Sequence, residues 1–178
     1  MYQQVLDFWF REIEPGQWWQ VDPDLDARLA VRFRPLLEQA ARGEWFAWRR
    51  TPAGRLAEII VLDQFSRNIY RDTPRAFQQD PMALALSQEA VAAQALQYLE
   101  PPERAFLLMP YMHSESAIVH VEAERLFREW APPSNYTFEL RHKAIIDRFG
   151  RYPHRNQVLG RGSTPEEVEF LRQPGSSF

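Results

Sequence analysis

Three stretches of this chain concentrate side chains able to hold ions or move protons. The densest runs from Arg148 to Arg161, RFGRYPHRNQVLGR, with four arginines, one histidine, one asparagine and two glycines. The others are LDQFSRNIYR, which carries Asp63, Gln64, Arg67 and Asn68, and MPYMHSE, which carries His113 and Glu115. Burying such charges unpaired costs roughly several kcal/mol each, so a fold that draws them inward must pair them or give them a ligand. Arginine offers a rigid fork of donors matched to carboxylate or phosphate, and Arg151, Arg155 and Arg161 on one loop therefore suit an anionic group. His113 or His154 would then move a proton, with Asp63 or Glu115 setting orientation and tautomer. Gln64, Arg67, Asn68 and Asn156 complete the candidate ligand-binding set.

Spacing sharpens part of this. Asp63 and Arg67 are four apart and can pair on a helix, and the helix around them, LAEIIVLDQFSRNIYR, is apolar almost all round, which predicts burial. A buried ion pair that fixes helix packing is the plainer alternative. His113, next to Pro110, is expected at or near a helix start, where a cap or core role competes with acid–base chemistry. His113 and His120 are seven apart with Glu124 four further on, whereas zinc sites usually draw two ligands at three- or four-residue spacing, so no metal site is expected. His142 shares a face with Ile145, Ile146 and Phe149 and reads as structural. The arginines of the 148–161 segment have a competing role, neutralising helix C-terminal carbonyls and acidic patches such as Glu122 and Glu124. The aromatic groups Phe8 to Phe10, Trp18 with Trp19, and Trp45 with Trp48 read as core packing, with base stacking as the alternative. No phosphate-binding glycine loop, dinucleotide fingerprint, nucleophile elbow or helix-turn-helix pattern occurs.

The elements that must position these groups are helices. Apolar residues recur at three- and four-residue spacing, no segment alternates like a strand, and an all-α fold follows. Asp22-Pro23, Thr51-Pro52, Asp80-Pro81 and Thr164-Pro165 each place a capping oxygen before a proline suited to the first helical position, and Thr164 to Glu167 has capping-box spacing. Between these signals, helices are expected near 2–13, 23–42, 52–70, 81–97, 102–109, 114–130, 135–149 and 165–172, with Pro35 kinking or dividing the second. Gly150 suits a C-cap that releases the arginine loop. Short connections favour antiparallel hairpins, and a right-handed stack of them, without a clean 34-residue repeat, is the expected architecture, with a compact bundle as the alternative.

A length of 178 residues fits a single domain, 1–178, and 45% hydrophobic with 13% aromatic residues predicts an aromatic-rich core. With no cysteine, disulfides and thiolate chemistry are excluded. The first residues lack a signal-peptide pattern, and charges interrupt every apolar run, so a cytoplasmic, soluble protein without membrane contact is expected. The net charge of -3 argues against a general nucleic-acid partner. Yet residues 141–161 hold six basic side chains against one acid, a local +5 that leaves -8 on the remainder.

The order VLDFWF, GRLAEIIVLDQFSRNIYRDTPRAF, LLMPYMHSES and HKAIIDRFGRYPHRNQVLGRGSTPEEVEFL, ending in PGSSF, resembles the bacterial domain-of-unknown-function family 924 nearly end to end. That resemblance implies an α-helical fold similar to tetratricopeptide-repeat proteins, and it implies no reaction. The family's motif residues correspond to Asp63, Gln64, Arg67, Asn68, His113, Glu115, Arg151, His154, Arg155, Asn156 and Arg161.

The functional expectation is a cationic pocket for a phosphate- or carboxylate-bearing small molecule, serving a hydrolytic or transferase-like step, with the cofactor undetermined. A non-catalytic helical-repeat module whose concave face binds a peptide or acidic protein partner is the alternative. Self-association through aromatic residues exposed near Trp18 and Trp45 is a third.

Overall fold

A computed structural model of the chain describes residues 1–177; Phe178, the last residue of the expected domain and of the PGSSF motif, lies outside them. Nine α-helices follow in order among these residues: α1 Tyr2–Asp7, α2 Pro23–Ala41, α3 Pro52–Ile60, α4 Ser66–Ile69, α5 Asp80–Ala92, α6 Pro101–Met112, α7 Ala117–Trp130, α8 Pro133–Phe149 and α9 Pro165–Leu171. No strand occurs among them, so the chain is all-α. One π-helical turn, Phe8–Glu12, extends α1, and another, Val61–Phe65, joins α3 to α4 in a single rod.

The capping signals act where they were read, with one exception. Asp22 accepts from the amides of Asp24 and Leu25, Thr51 from Gly54, and Thr164 and Glu167 close a reciprocal capping box. Gly54 is required by space, because a Cβ there would meet the Trp48 carbonyl oxygen at 2.1 Å. The exception is Asp80, the first residue of α5, whose carboxylate caps nothing and turns instead to arginines of other segments.

Both helix-interior prolines leave their helices intact. Pro35 lies on the exposed face of α2, and Val31, whose carbonyl loses its partner, stands on the solvent side, while Leu25, Leu29, Phe33, Leu37 and Ala40 hold the opposite face in the core. Pro110 does not end its helix as expected. α6 continues to Met112, with every residue from Ala105 to Met112 buried, so packing outweighs the missing hydrogen bond. His113 is consequently the C-cap of α6, and the next helix begins only at Ala117.

The main core runs from Val5 to Phe127, and a smaller cluster of Ile145, Ile146 and Tyr152 sits beneath the arginine loop. α6, α7 and α8 pack in succession, α1 lies on α3, and α3 and α6 both contact α5. Most of the tryptophans pack on the core: Trp9 meets Phe106 edge-on at 5.4 Å, and Trp45 stacks on Trp48 at 4.8 Å, whereas Trp19, expected to pack inward, is 57% exposed and lies flat on Phe106. Trp18 and Trp45 are half-buried and donate their indole N–H groups to backbone carbonyls of Trp9 and Leu36.

Candidate functional site

Asp63 lies in the π turn of the α3–α4 rod, 1% exposed. Its Oδ2 accepts from Gln64 at 2.6 Å, and its Oδ1 meets His113 Nδ1 at 2.8 Å and Arg67 at 3.0 Å. Burial pushes this carboxyl up, but the charge of Arg67 and the interactions with His113 and Gln64 outweigh it and hold the group below the usual carboxylate range. Burial, reinforced by Arg67, lowers the pKa of His113 against the pull of Asp63. The ring is therefore neutral at pH 7, its Nδ1–H donates to Asp63, and its Nε2 carries the lone pair with no hydrogen-bond partner among the described residues.

A second carboxylate ties this pair to the arginine loop. Asp80 receives both Arg67 guanidinium nitrogens, at 2.9 and 3.0 Å, and Arg155 at 3.3 Å. Arg155 also donates to the His113 carbonyl at 3.1 Å. Its guanidinium carbon stands 4.7 Å from the Phe77 ring centre and 4.6 Å from that of Tyr152. Its Nε is buried and has no acceptor among the described residues. Burial, then repulsion from Arg67, lowers the Arg155 pKa, so the cation is incompletely compensated where it sits.

The remaining loop arginines are closed off by carboxylates. Arg161 grips Glu115 at 2.6 and 2.9 Å, while the Tyr152 amide donates to Glu115 at 2.7 Å. Glu115 thus fastens the loop, and it is Asp63 that orients His113. Burial raises the Glu115 pKa, but Arg161 and the Tyr152 amide lower it further. Arg151 forks onto Glu167 at 2.6 and 2.8 Å, which brings that carboxyl down to about 2. Asn156 bridges Arg161, Ser163 and Glu167. Glu122 pairs with Arg125 of its own helix. Asn68 turns away from the cluster and, with Arg71, holds Asp26 of α2. His154, half-buried with its ring 5.6 Å from Tyr152, is lowered to about 4 by burial and Arg155.

The bacterial family of unknown function DUF924 matches this chain over residues 5–175. The chain belongs to that family. A solved structure of a protein of unknown function from Agrobacterium tumefaciens, ATU0120, is 32% identical, with 96% of each chain covered and a TM-score of 0.90. No curated protein matches.

In this DUF924 chain a hollow of about 490 Å³ is lined by Arg75, Phe77, Asp80, Glu115, Arg155 and Leu159, with Pro74, Gln78 and Pro81; Asp80, Glu115 and Arg155 are the members of the polar cluster that reach it, and Asp63 and His113, expected beside the loop in one pocket, are not part of its lining. Another of about 510 Å³, beside Phe8, Arg28, Val31 and Arg32, holds none of the polar cluster. No group of three or more His, Asp or Glu among the described residues is arranged to hold a metal ion. The fixed imidazole can accept a proton at Nε2, and Asp63 would stabilise the cation that forms.

Several members escaped the sequence reading. Asp80 reads locally as a cap, and its pairing with Arg67, thirteen residues before it, is not signalled by helical spacing. Tyr152, wholly buried, donates to the Met112 carbonyl at 2.5 Å and lies 3.2 Å from His120 Nε2. His120 pairs not with Glu124 but with buried Glu139, at 2.7 Å, while its Nε2 donates to the Ser114 carbonyl at 2.8 Å. His142, buried as expected, bonds to the Phe138 carbonyl and is brought down to about 3 by burial.

Proposed function

We propose that this protein binds a small anionic molecule, phosphate- or carboxylate-bearing, in the hollow beside Arg155, and that His113, held by Asp63, moves a proton on it. The chemistry suited to that pair is a hydrolytic or transfer step, in a cytoplasmic protein of one helical domain. The observation that carries the reading is Arg155. Arg67, Arg151 and Arg161 each have a two-pronged carboxylate partner, whereas Arg155 has a long share of Asp80 and a buried Nε without an acceptor. An arriving anion would supply the missing compensation.

The test is calorimetric titration with inorganic phosphate, acetate and phenyl phosphate against wild type and Arg155→Gln, with circular dichroism confirming that the variant is folded. Binding that weakens about tenfold or more in the variant supports the reading. No binding, or binding indifferent to the substitution, removes it.

One observation favours the second reading, a helical-hairpin stack that docks a peptide or acidic partner: the hollow is open, and Arg151 and Arg161 are saturated by Glu167 and Glu115. A protein of that kind would bind a partner segment unchanged after His113→Gln.

A further inference from the structure

The hollow beside Arg155 is not purely cationic. Two guanidinium groups, Arg75 and Arg155, share its wall with two carboxylates, Asp80 and Glu115, and Phe77 and Leu159 add apolar surface. Arg75 is exposed at the rim, and the two carboxylates are more open than Arg155. The Asp80 and Glu115 side chains are 19% and 27% exposed, against 7% for Arg155.

The hydrogen-bond ledger leaves both kinds of group with capacity. A carboxylate offers about four lone-pair sites. Among the described residues Asp80 Oδ1 receives only Arg67, and Glu115 Oε2 only Arg161. On the donor side stand Arg155, whose Nη1 and Nη2 each have one recorded partner for two N–H groups, and Arg75, whose guanidinium lies 3.7 Å above the Tyr70 ring centre and gives one N–H to the Tyr70 hydroxyl. A dianion placed here would meet two negative groups at close range. A plain amine would leave the guanidinium donors without a partner. Only a ligand bearing both signs fills both sets.

Resting on the reading of this hollow as a ligand site, we propose that its ligand is a zwitterion, a carboxylate and an ammonium on an apolar body, of the α-amino-acid or short-peptide class. The carboxylate goes to Arg155 and Arg75, the ammonium to the spare oxygens of Asp80 and Glu115, and the apolar body lies against Phe77 and Leu159. A hollow of about 490 Å³ accommodates a body of that size.

Four probes with one phenyl body separate the charges: L-phenylalanine, 3-phenylpropionate, phenethylamine and phenyl phosphate, titrated into the full chain by calorimetry. L-Phenylalanine is expected to bind at least tenfold more tightly than each of the others, and both Phe77→Ala and Arg75→Gln, at the rim, are expected to weaken it severalfold. Equal or tighter binding of phenylpropionate or phenyl phosphate overturns the zwitterion and leaves the anion site standing. Equal or tighter binding of phenethylamine overturns both. If L-phenylalanine fails to bind while an anion binds in an Arg155-dependent way, only the zwitterion is lost; if no probe or simple anion binds, both fall.

Discussion

Replacing Asp80 by alanine should cost this protein far more than a half-exposed carboxylate ordinarily does. Its side chain is 19% exposed and that of Arg67 18%, so the pair is neither a surface bridge worth less than about 1 kcal/mol nor a fully buried one, whose rupture costs about 3–5 kcal/mol. Arg67 would keep Asp63. Arg155, whose only carboxylate is Asp80, would keep none among the described residues. Solvent screening at the Asp80 edge trims the cost to about 3 kcal/mol. With an unfolding entropy of about 2.1 cal/mol/K per residue over 178 residues, that loss lowers the melting temperature by about 8 °C. Urea titration and calorimetry measure both quantities. The decisive arm is the double variant Asp80→Ala with Arg155→Met, which removes the stranded cation while keeping an apolar chain between Phe77 and Tyr152. It should be more stable than Asp80→Ala alone. A single-variant loss under about 1 kcal/mol, or a double variant that is less stable still, would refute the account of Arg155 as a cation dependent on Asp80.

Stability should fall between pH 7 and pH 5. His142 and His154 are lowered to about 3 and about 4 from 6.5, so the unfolded chain takes up their protons before the folded one does, and the native state loses ground as pH drops through 6.5. At about 1.4 kcal/mol per unit, each contributes on the order of 2 kcal/mol by pH 5, while Glu139, raised by burial, works in the opposite direction and flattens the slope. A urea midpoint unchanged across that range would contradict this. Glu167, held near 2 chiefly by Arg151, adds a further loss only as pH falls below the ordinary carboxylate range. Gly54→Ala should destabilise by about 3 kcal/mol or more, because the new methyl collides with backbone rather than with a movable side chain; a soluble variant of wild-type stability would show that the 48–54 turn yields. Thr164→Ala should cost about 1 kcal/mol, seen first as faster amide exchange in α9, whose capping box also seats the carboxylate that holds Arg151.

The helices were legible because their signals are local. Asp22, Thr51 and Thr164 each announce a helix start within three residues, and a buried face such as Leu25, Leu29, Phe33, Leu37 shows in the spacing. The Asp63–Arg67 pair was legible for the same reason. What was hidden needed tertiary information. At a constant α-helical turn angle Asp63, Gln64, Arg67, Asn68 and Arg71 would share one sector, but the π turn at Val61–Phe65 breaks that angle, and the set divides between His113 with Asp80 on one side and Asp26 on the other. Pro110 misled because a proline inside a wholly buried helix leaves nothing in composition to distinguish it from a terminator. Asp80 misled because an aspartate before proline has a sufficient local explanation. The cationic loop looked unpaired because its counter-charges, Glu115, Asp80 and Glu167, come from elsewhere in the chain.

Taken together, the contacts at the site form a closed circuit. Asp63 binds Arg67, Arg67 binds Asp80, Asp80 binds Arg155, Arg155 binds the His113 carbonyl, and the His113 ring returns to Asp63. The formal charges alternate and cancel while His113 is neutral. A proton on Nε2 takes the circuit to a net positive charge, which Asp63 favours and Arg67 opposes. A negative group set beside Arg155 would offset that excess and raise the basicity of the imidazole. An apolar patch of equal volume could hold α3, α5 and α6 together, but it would not couple a charge beside Arg155 to the proton affinity of His113.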